Sequence, residues 1–151
     1  MDTPDTPEQL RARALRHLVR REHSRAELAR KLAPHAESSE AVQRLLDELA
    51  AKKQLSDERY AEERARCLAR KYGAAKIRQD LRAKGVSEEL ADNAAAGLNE
   101  VEKAKQILAR KYRQPAATRE ERAKRARFLE GRGFSHDTIR SALGVSSLHT
   151  E

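Results

Sequence analysis

Leu10, Ala14, Leu15 and Leu18 recur at helical intervals once Pro7 is passed, so the chain opens on one apolar helix face. Ser24 and Glu27 form a Ser-x-x-Glu capping box that predicts a second helix, with Leu28 and Leu32 one turn apart and Pro34 closing it. A third helix begins after Ser38 or Ser39, because Val42, Leu45, Leu46 and Leu49 keep the period. These three make one unit.

Leu55-Ser56-Asp57 interrupts the pattern and supplies an N-cap with acidic first-turn residues, suited to the positive end of a helix dipole. The fourth helix carries Ala61, Ala65, Leu68, Ala69 and Tyr72 on one side, and Gly73 is expected to end it in a left-handed conformation. The fifth turns Ile77 and Leu81 inward and stops at Gly85. The sixth starts at Ser87-Glu88-Glu89 and runs through Leu90, Ala91, Ala94, Ala95 and Leu98. Val101, Ala104, Ile107 and Leu108 mark a seventh helix, and Pro115 ends that segment. Thr118 and Glu121 form a second capping box before an eighth helix through Ala123, Ala126 and Leu129. Gly131 weakens its last turn and Gly133 ends it. Ser135 caps a ninth helix holding Ile139 and Leu143.

No segment alternates as a strand would, so the fold class is all-α. The units are related. Lys84-Gly85-Val86-Ser87 matches Arg132-Gly133-Phe134-Ser135 at an offset of 48, and Leu28/Leu32 matches Ile77/Leu81 at 49. Leu68-Ala-Arg-Lys-Tyr72 echoes Leu108-Ala-Arg-Lys-Tyr112 at an offset of 40. The pattern predicts three tandem three-helix repeats over 9–54, 55–99 and 100–145, flanked by a flexible tail over 1–8 and another over 146–151. Each unit buries little alone and leans on its neighbour, which gives an elongated, curved arrangement.

Composition adjusts this picture in two ways. Leu, Ile, Val and Phe make up only 27 of 151 residues, a level at which disorder must be weighed, but the helical spacing and recurring caps argue against it. Trp is absent and Ala is the commonest apolar residue, so the packing is thin. One cysteine, Cys67, permits no internal disulfide. The acidic, Pro-rich stretch from Met1 to Pro7 lacks the basic flank and apolar stretch of a secretory signal, and no apolar run approaches membrane-spanning length. A cytoplasmic, monomeric protein without membrane contact is therefore expected.

The 32 Lys and Arg against 24 Asp and Glu leave a net charge of +8. Arg64 to Lys84 holds eight basic residues opposed only by Asp80, and Lys103 to Arg132 holds eleven against three glutamates. Such runs are often merely solvated faces. Clustering of one sign on outward faces nevertheless costs self-repulsion that interspersed charges avoid. Arg78 and Arg82 face away from Ile77 and Leu81, as Arg66 and Arg70 face away from Leu68, so these pairs can point at a phosphate backbone or an acidic protein.

Catalysis has little to rest on. The five histidines lack zinc-ligand spacing, and no phosphate-binding glycine loop occurs. The acidic pairs Glu62/Glu63 and Glu88/Glu89 diverge on their helices. Cys67 reads as a small packed residue rather than a nucleophile. Tyr60, Tyr72 and Tyr112 read as core residues near helix ends. Neither an enzyme nor a cofactor is expected.

Four strings in order resemble the RecX family, small regulators of the RecA recombinase. Tyr72-Gly-Ala-Ala-Lys-Ile-Arg-Gln-Asp-Leu-Arg-Ala-Lys-Gly-Val86 is similar to the family's central signature. Ser24–Leu32, Leu55–Ala61 and Phe128–Ser135 support it, and together they cover the chain from about Leu10 to Leu143. Gly131 departs from the pattern, where a stronger helix former is expected. The resemblance implies binding to the RecA nucleoprotein filament, in its helical groove. It further implies arrest of filament extension, and suppression of ATP hydrolysis and strand exchange in recombination, DNA repair and the SOS response. Accessory binding of single- and double-stranded DNA is also implied. The residues expected to make filament or DNA contact are Arg66, Arg70, Lys71, Lys76, Arg78, Arg82, Arg122, Lys124 and Arg125. Two other classes stand beside this reading: a DNA-binding helical protein acting without RecA, and a helical-repeat adaptor with no nucleic-acid role.

Overall fold

The computed structural model describes residues 3–144. Its nine α-helices are α1 (Pro7–Arg20), α2 (Arg25–Leu32), α3 (Ser39–Ala51), α4 (Asp57–Leu68), α5 (Ala74–Ala83), α6 (Glu88–Ala96), α7 (Glu100–Lys111), α8 (Arg119–Gly131) and α9 (His136–Ala142). A short 3-10 turn, Ala33–His35, separates α2 from α3. Local chemistry explains where the helices start. Thr6, Ser24, Ser38, Ser56, Ser87, Asn99, Thr118 and Ser135 each accept a hydrogen bond from a first-turn backbone N–H that would otherwise lack a partner.

Three expectations about the ends and caps change. The flexible tail over 1–8 gives way from Asp5 onward. Thr6 and Gln9 form a reciprocal capping box with Pro7 in the first turn, the Asp5 carboxylate accepts from Arg13 at 2.8 Å, and the Asp5 amide donates to the His35 carbonyl at 2.8 Å. The tail over 146–151 lies outside the described residues. At Ser24 and Thr118 only half of each capping box exists. The Glu27 carboxylate turns to Arg21, and that of Glu121 accepts from the Ala117 amide at 2.6 Å.

Each triplet closes on its own core. Leu10, Leu28, Leu32, Leu46 and Leu49 fill the first; Tyr60, Ile77, Leu81 and four alanines the second; Ile107, Leu108, Leu129, Phe134 and Ile139 the third. The broadest helix packing is within triplets. Two side chains fall outside their expected cores. Cys67 is exposed, because the buried stripe of α4 runs through Tyr60, Ala61 and Ala65 and leaves it on the far side. Ala123 is exposed because α8 enters the third core only near Leu129.

The triplets are joined by one device used twice. Gly85 and Gly133, at the bends before α6 and α9, have positive φ of 88° and 94°. A Cβ on Gly85 would lie 2.4 Å from that of Ala26 in α2, and one on Gly133 would lie 2.7 Å from the Lys76 nitrogen in α5. Main-chain carbonyls beside these glycines accept hydrogen bonds across the joint. Lys84 accepts from the Ser24 hydroxyl at 2.8 Å, Arg132 from the Gly73 amide at 2.7 Å, and Gly133 from the Ala75 amide at 3.2 Å. Gly73 is therefore not the left-handed helix end expected. It is extended, with φ of −87°, and lies at the start of α5, where a Cβ would meet the Gly133 carbonyl oxygen at 2.6 Å.

Candidate functional site

Docking of the third triplet on the second brings the two Leu-Ala-Arg-Lys-Tyr strings together. Arg70, Lys71 and Tyr72 follow the end of α4, while Arg110, Lys111 and Tyr112 end α7. Between them, with Phe128 and Arg132 from the end of α8, lies an open hollow of about 330 Å³. Its charged lining is Arg70, Lys71, Arg110, Lys111 and Arg132, with no carboxylate among the lining residues.

The cations are held in place by groups that leave their charge uncancelled. Arg110 donates to the Arg70 carbonyl, and Arg132 donates to the Lys71 carbonyl at 3.2 Å. Lys111 lies 4.3 Å above the Phe128 ring and Arg132 lies 4.9 Å from the same ring. Arg125 stacks 4.2 Å from the Tyr112 ring, which in turn meets Phe128 edge-on at 6.3 Å. None of these cations is in an ion pair among the described residues.

Several arginines outside the hollow are matched by carboxylates. Arg13 pairs with Asp5 at 2.8 Å, Arg21 with Glu27 at 2.6 Å, Arg25 with Asp47 at 2.7 Å, Arg59 with Glu22 at 2.7 Å and Arg64 with Asp80 at 3.0 Å. The Arg64 guanidinium is held above its ordinary pKa, chiefly by the hydrogen bond to Asp80. The hollow differs from these pairs in gathering five cations on one lining that holds no carboxylate.

The nine residues singled out from the sequence divide accordingly. Arg70 and Lys71 line the hollow, while Lys76 is outside its lining, 5.8 Å from the Tyr72 ring and against Gly133. Arg66 lies one turn before Arg70 on the exposed side of α4. Arg125 reaches the adjoining Tyr112 ring. Arg122 and Lys124 are exposed on α8, away from the hollow's lining. Arg78 and Arg82 instead lean toward α6, 3.8 Å from Asp92 and 3.3 Å from Glu88. Sequence reasoning missed Arg110, Lys111 and Arg132. The signal for the first two was the repeated pentapeptide, whose two copies form facing walls.

Among the described residues no helix is long and apolar enough to cross a membrane. Residues 11–49, 56–94 and 99–143 match, in order, the first, second and third three-helix domains of RecX. The chain is similar to the regulatory protein RecX of Herbaspirillum seropedicae, 45% identical over 147 residues and 96% of both chains. It is also similar to that of Neisseria meningitidis, 44% identical over 135 residues, covering 89% of this chain and 88% of the relative. Among solved structures, RecX from Lactobacillus salivarius superposes with a TM-score of 0.80 at 23% identity, over 91% of this chain and 94% of that one. A second structure of regulatory protein RecX gives 0.76 at 25% identity, over 93% and 73%.

Proposed function

The chain belongs to the RecX family of regulatory proteins, and from that premise we propose that it is a non-enzymatic, cytoplasmic negative regulator of the RecA recombinase. It binds the RecA–DNA filament along its helical groove, stops extension, and lowers ATP hydrolysis and strand exchange. The observation that carries this reading is the cationic cleft between the second and third triplets, where five basic side chains line one hollow.

The physical logic follows from the joints. A row of three small bodies contacts several filament subunits at once, and each later contact gains from the effective concentration set by the first. The unmatched cations supply attraction to DNA phosphate or to acidic filament surface, without a carboxylate beside them to be displaced. DNA contact in this scheme is accessory and read through phosphate.

Titration of the purified protein into RecA filaments on single-stranded DNA tests the proposal, with ATP turnover and filament length followed together. Shorter filaments and falling turnover at substoichiometric protein are expected. Unchanged turnover with the protein in excess, alongside salt-sensitive binding to naked duplex, would replace it with a DNA-binding protein that acts without the recombinase.

A further inference from the structure

Arg70 and Lys71 are consecutive, with α-carbons about 3.8 Å apart, and their carbonyls hold the guanidinium groups of Arg110 and Arg132. Two planar forks from different parts of the third triplet are thereby anchored to neighbouring residues on one wall of the hollow, and both line it. Each has committed a hydrogen bond to a carbonyl, which leaves most of its five N–H donors for another partner. Adjacent like charges repel, and a carboxylate between them would normally answer that cost. Here the lining of the hollow contains none, and the ammonium of Lys111 adds to the same space.

The aromatic floor narrows the choice of ligand. Phe128 has Lys111 at 4.3 Å and Arg132 at 4.9 Å, and Tyr72 has Arg132 at 5.5 Å and Lys76 at 5.8 Å. The rings are engaged in positioning cations, so a nucleobase has no bare platform on which to stack. What fits is a compact, multiply charged anion with oxygen acceptors in more than one direction, such as phosphates linked through a single bridging oxygen. Phosphates of a nucleic-acid strand are spaced farther apart by the intervening sugar, and suit two adjacent forks less well.

We infer that the cleft between the second and third triplets binds condensed phosphate, either as an inorganic chain or as the phosphate tail of a nucleoside di- or triphosphate, through its phosphates alone. The location is the one assigned above to filament contact. Occupancy is read on the isolated protein, so this inference and the proposed function fail separately. A bound anion would compete with the filament for the cleft and would clamp the two triplets together.

Calorimetric titration of the full chain with sodium tripolyphosphate, sodium pyrophosphate, ADP and the oligonucleotide dT8, at fixed ionic strength, tests the site. One equivalent of tripolyphosphate is expected to bind, and pyrophosphate and ADP should agree within about threefold if the nucleoside is unread. Replacing both forks while keeping their charge, Arg110→Lys with Arg132→Lys, should weaken tripolyphosphate about tenfold and leave dT8 within about twofold. Because those side chains also bridge the joint, Lys111→Gln, which bonds to no residue of the second triplet, provides an independent variant with an expected loss of about threefold. Absence of tripolyphosphate binding would overturn the inference. So would equal losses for tripolyphosphate and dT8, or a matching loss in the Arg122→Gln, Lys124→Gln control. A much tighter ADP complex would show base recognition and overturn the claim that phosphate alone is read.

Discussion

Gly73 donates its amide hydrogen to the carbonyl of Arg132 at 2.7 Å, and this bond ties the second triplet to the third. One repeat earlier the Ser24 hydroxyl does the same for the carbonyl of Lys84 at 2.8 Å. The acceptors are 48 residues apart in the sequence and each precedes a glycine with positive φ. In both joints the start of a middle helix receives the bend of the following triplet.

Two alanine substitutions three residues or fewer from the same bond should have opposite signs. Gly133→Ala introduces a Cβ 2.6–2.8 Å from Lys76 atoms at a φ of 94°. A destabilisation of at least about 2 kcal/mol is expected. Gly131→Ala meets nothing within 4 Å at the end of α8 and should gain up to about 1 kcal/mol. Thermal unfolding of the two variants, measured side by side, checks both signs.

Ser24→Ala removes two bonds with one oxygen. The hydroxyl oxygen accepts from the Glu27 amide at 3.0 Å while its hydrogen goes to Lys84. A loss of about 2 kcal/mol is expected, since the cap and the joint fail together. Ser87→Ala, a cap alone at 3.2 Å, should cost about half as much. Denaturant titrations that gave equal losses would mean that the Lys84 bond contributes nothing.

Neutralising the cleft should matter more than neutralising α5. Arg110→Gln with Lys111→Gln is expected to raise the concentration needed to inhibit RecA filaments about tenfold. Arg78→Gln with Arg82→Gln should raise it less, because Asp92 and Glu88 already lie 3.8 Å and 3.3 Å from those side chains. Inhibition curves at two salt concentrations provide the measurement, and the difference should shrink as salt rises.

Stability should fall in two stages on acidification. Burial, acting against a partly opposing hydrogen bond to Arg21, holds His23 below its ordinary value of 6.5. The folded state therefore binds fewer protons, and this contribution, present above pH 6.5, is lost as pH drops below it. Hydrogen bonds from Arg21 hold the Glu27 carboxyl at about 2 rather than 4.5. That contribution is present above 4.5 and disappears as pH falls through about 2, and is worth at most about 3 kcal/mol. Urea unfolding across pH should show the upper stage reduced in His23→Gln and the lower one reduced in Glu27→Gln.

Much of this was legible in the sequence because it is local. Ser56, Ser87 and Ser135 start their helices as caps, and the leucines of α3 are buried on the side their spacing indicates. The failures are also informative. Gly73 follows a helix and so resembles a left-handed terminator, but its lack of a Cβ serves a contact with Gly133, 60 residues away, which no local pattern encodes. Cys67 and Ala123 lie next to core positions without sharing their side of the helix. Arg110 and Arg132 gained significance only once docking brought them to the carbonyls of Arg70 and Lys71. The offset of 40 between the pentapeptides is not that of their helices, because Leu68 is the last residue of α4 whereas Leu108 lies inside the last turn of α7.

The joints have a mechanical consequence. The few hydrogen bonds at each joint are far weaker than the apolar interior of a triplet, so thermal motion flexes the molecule there first. It can behave as a folding ruler, rigid within its segments and compliant at its pins, and take up the pitch of whatever helical track it lies along.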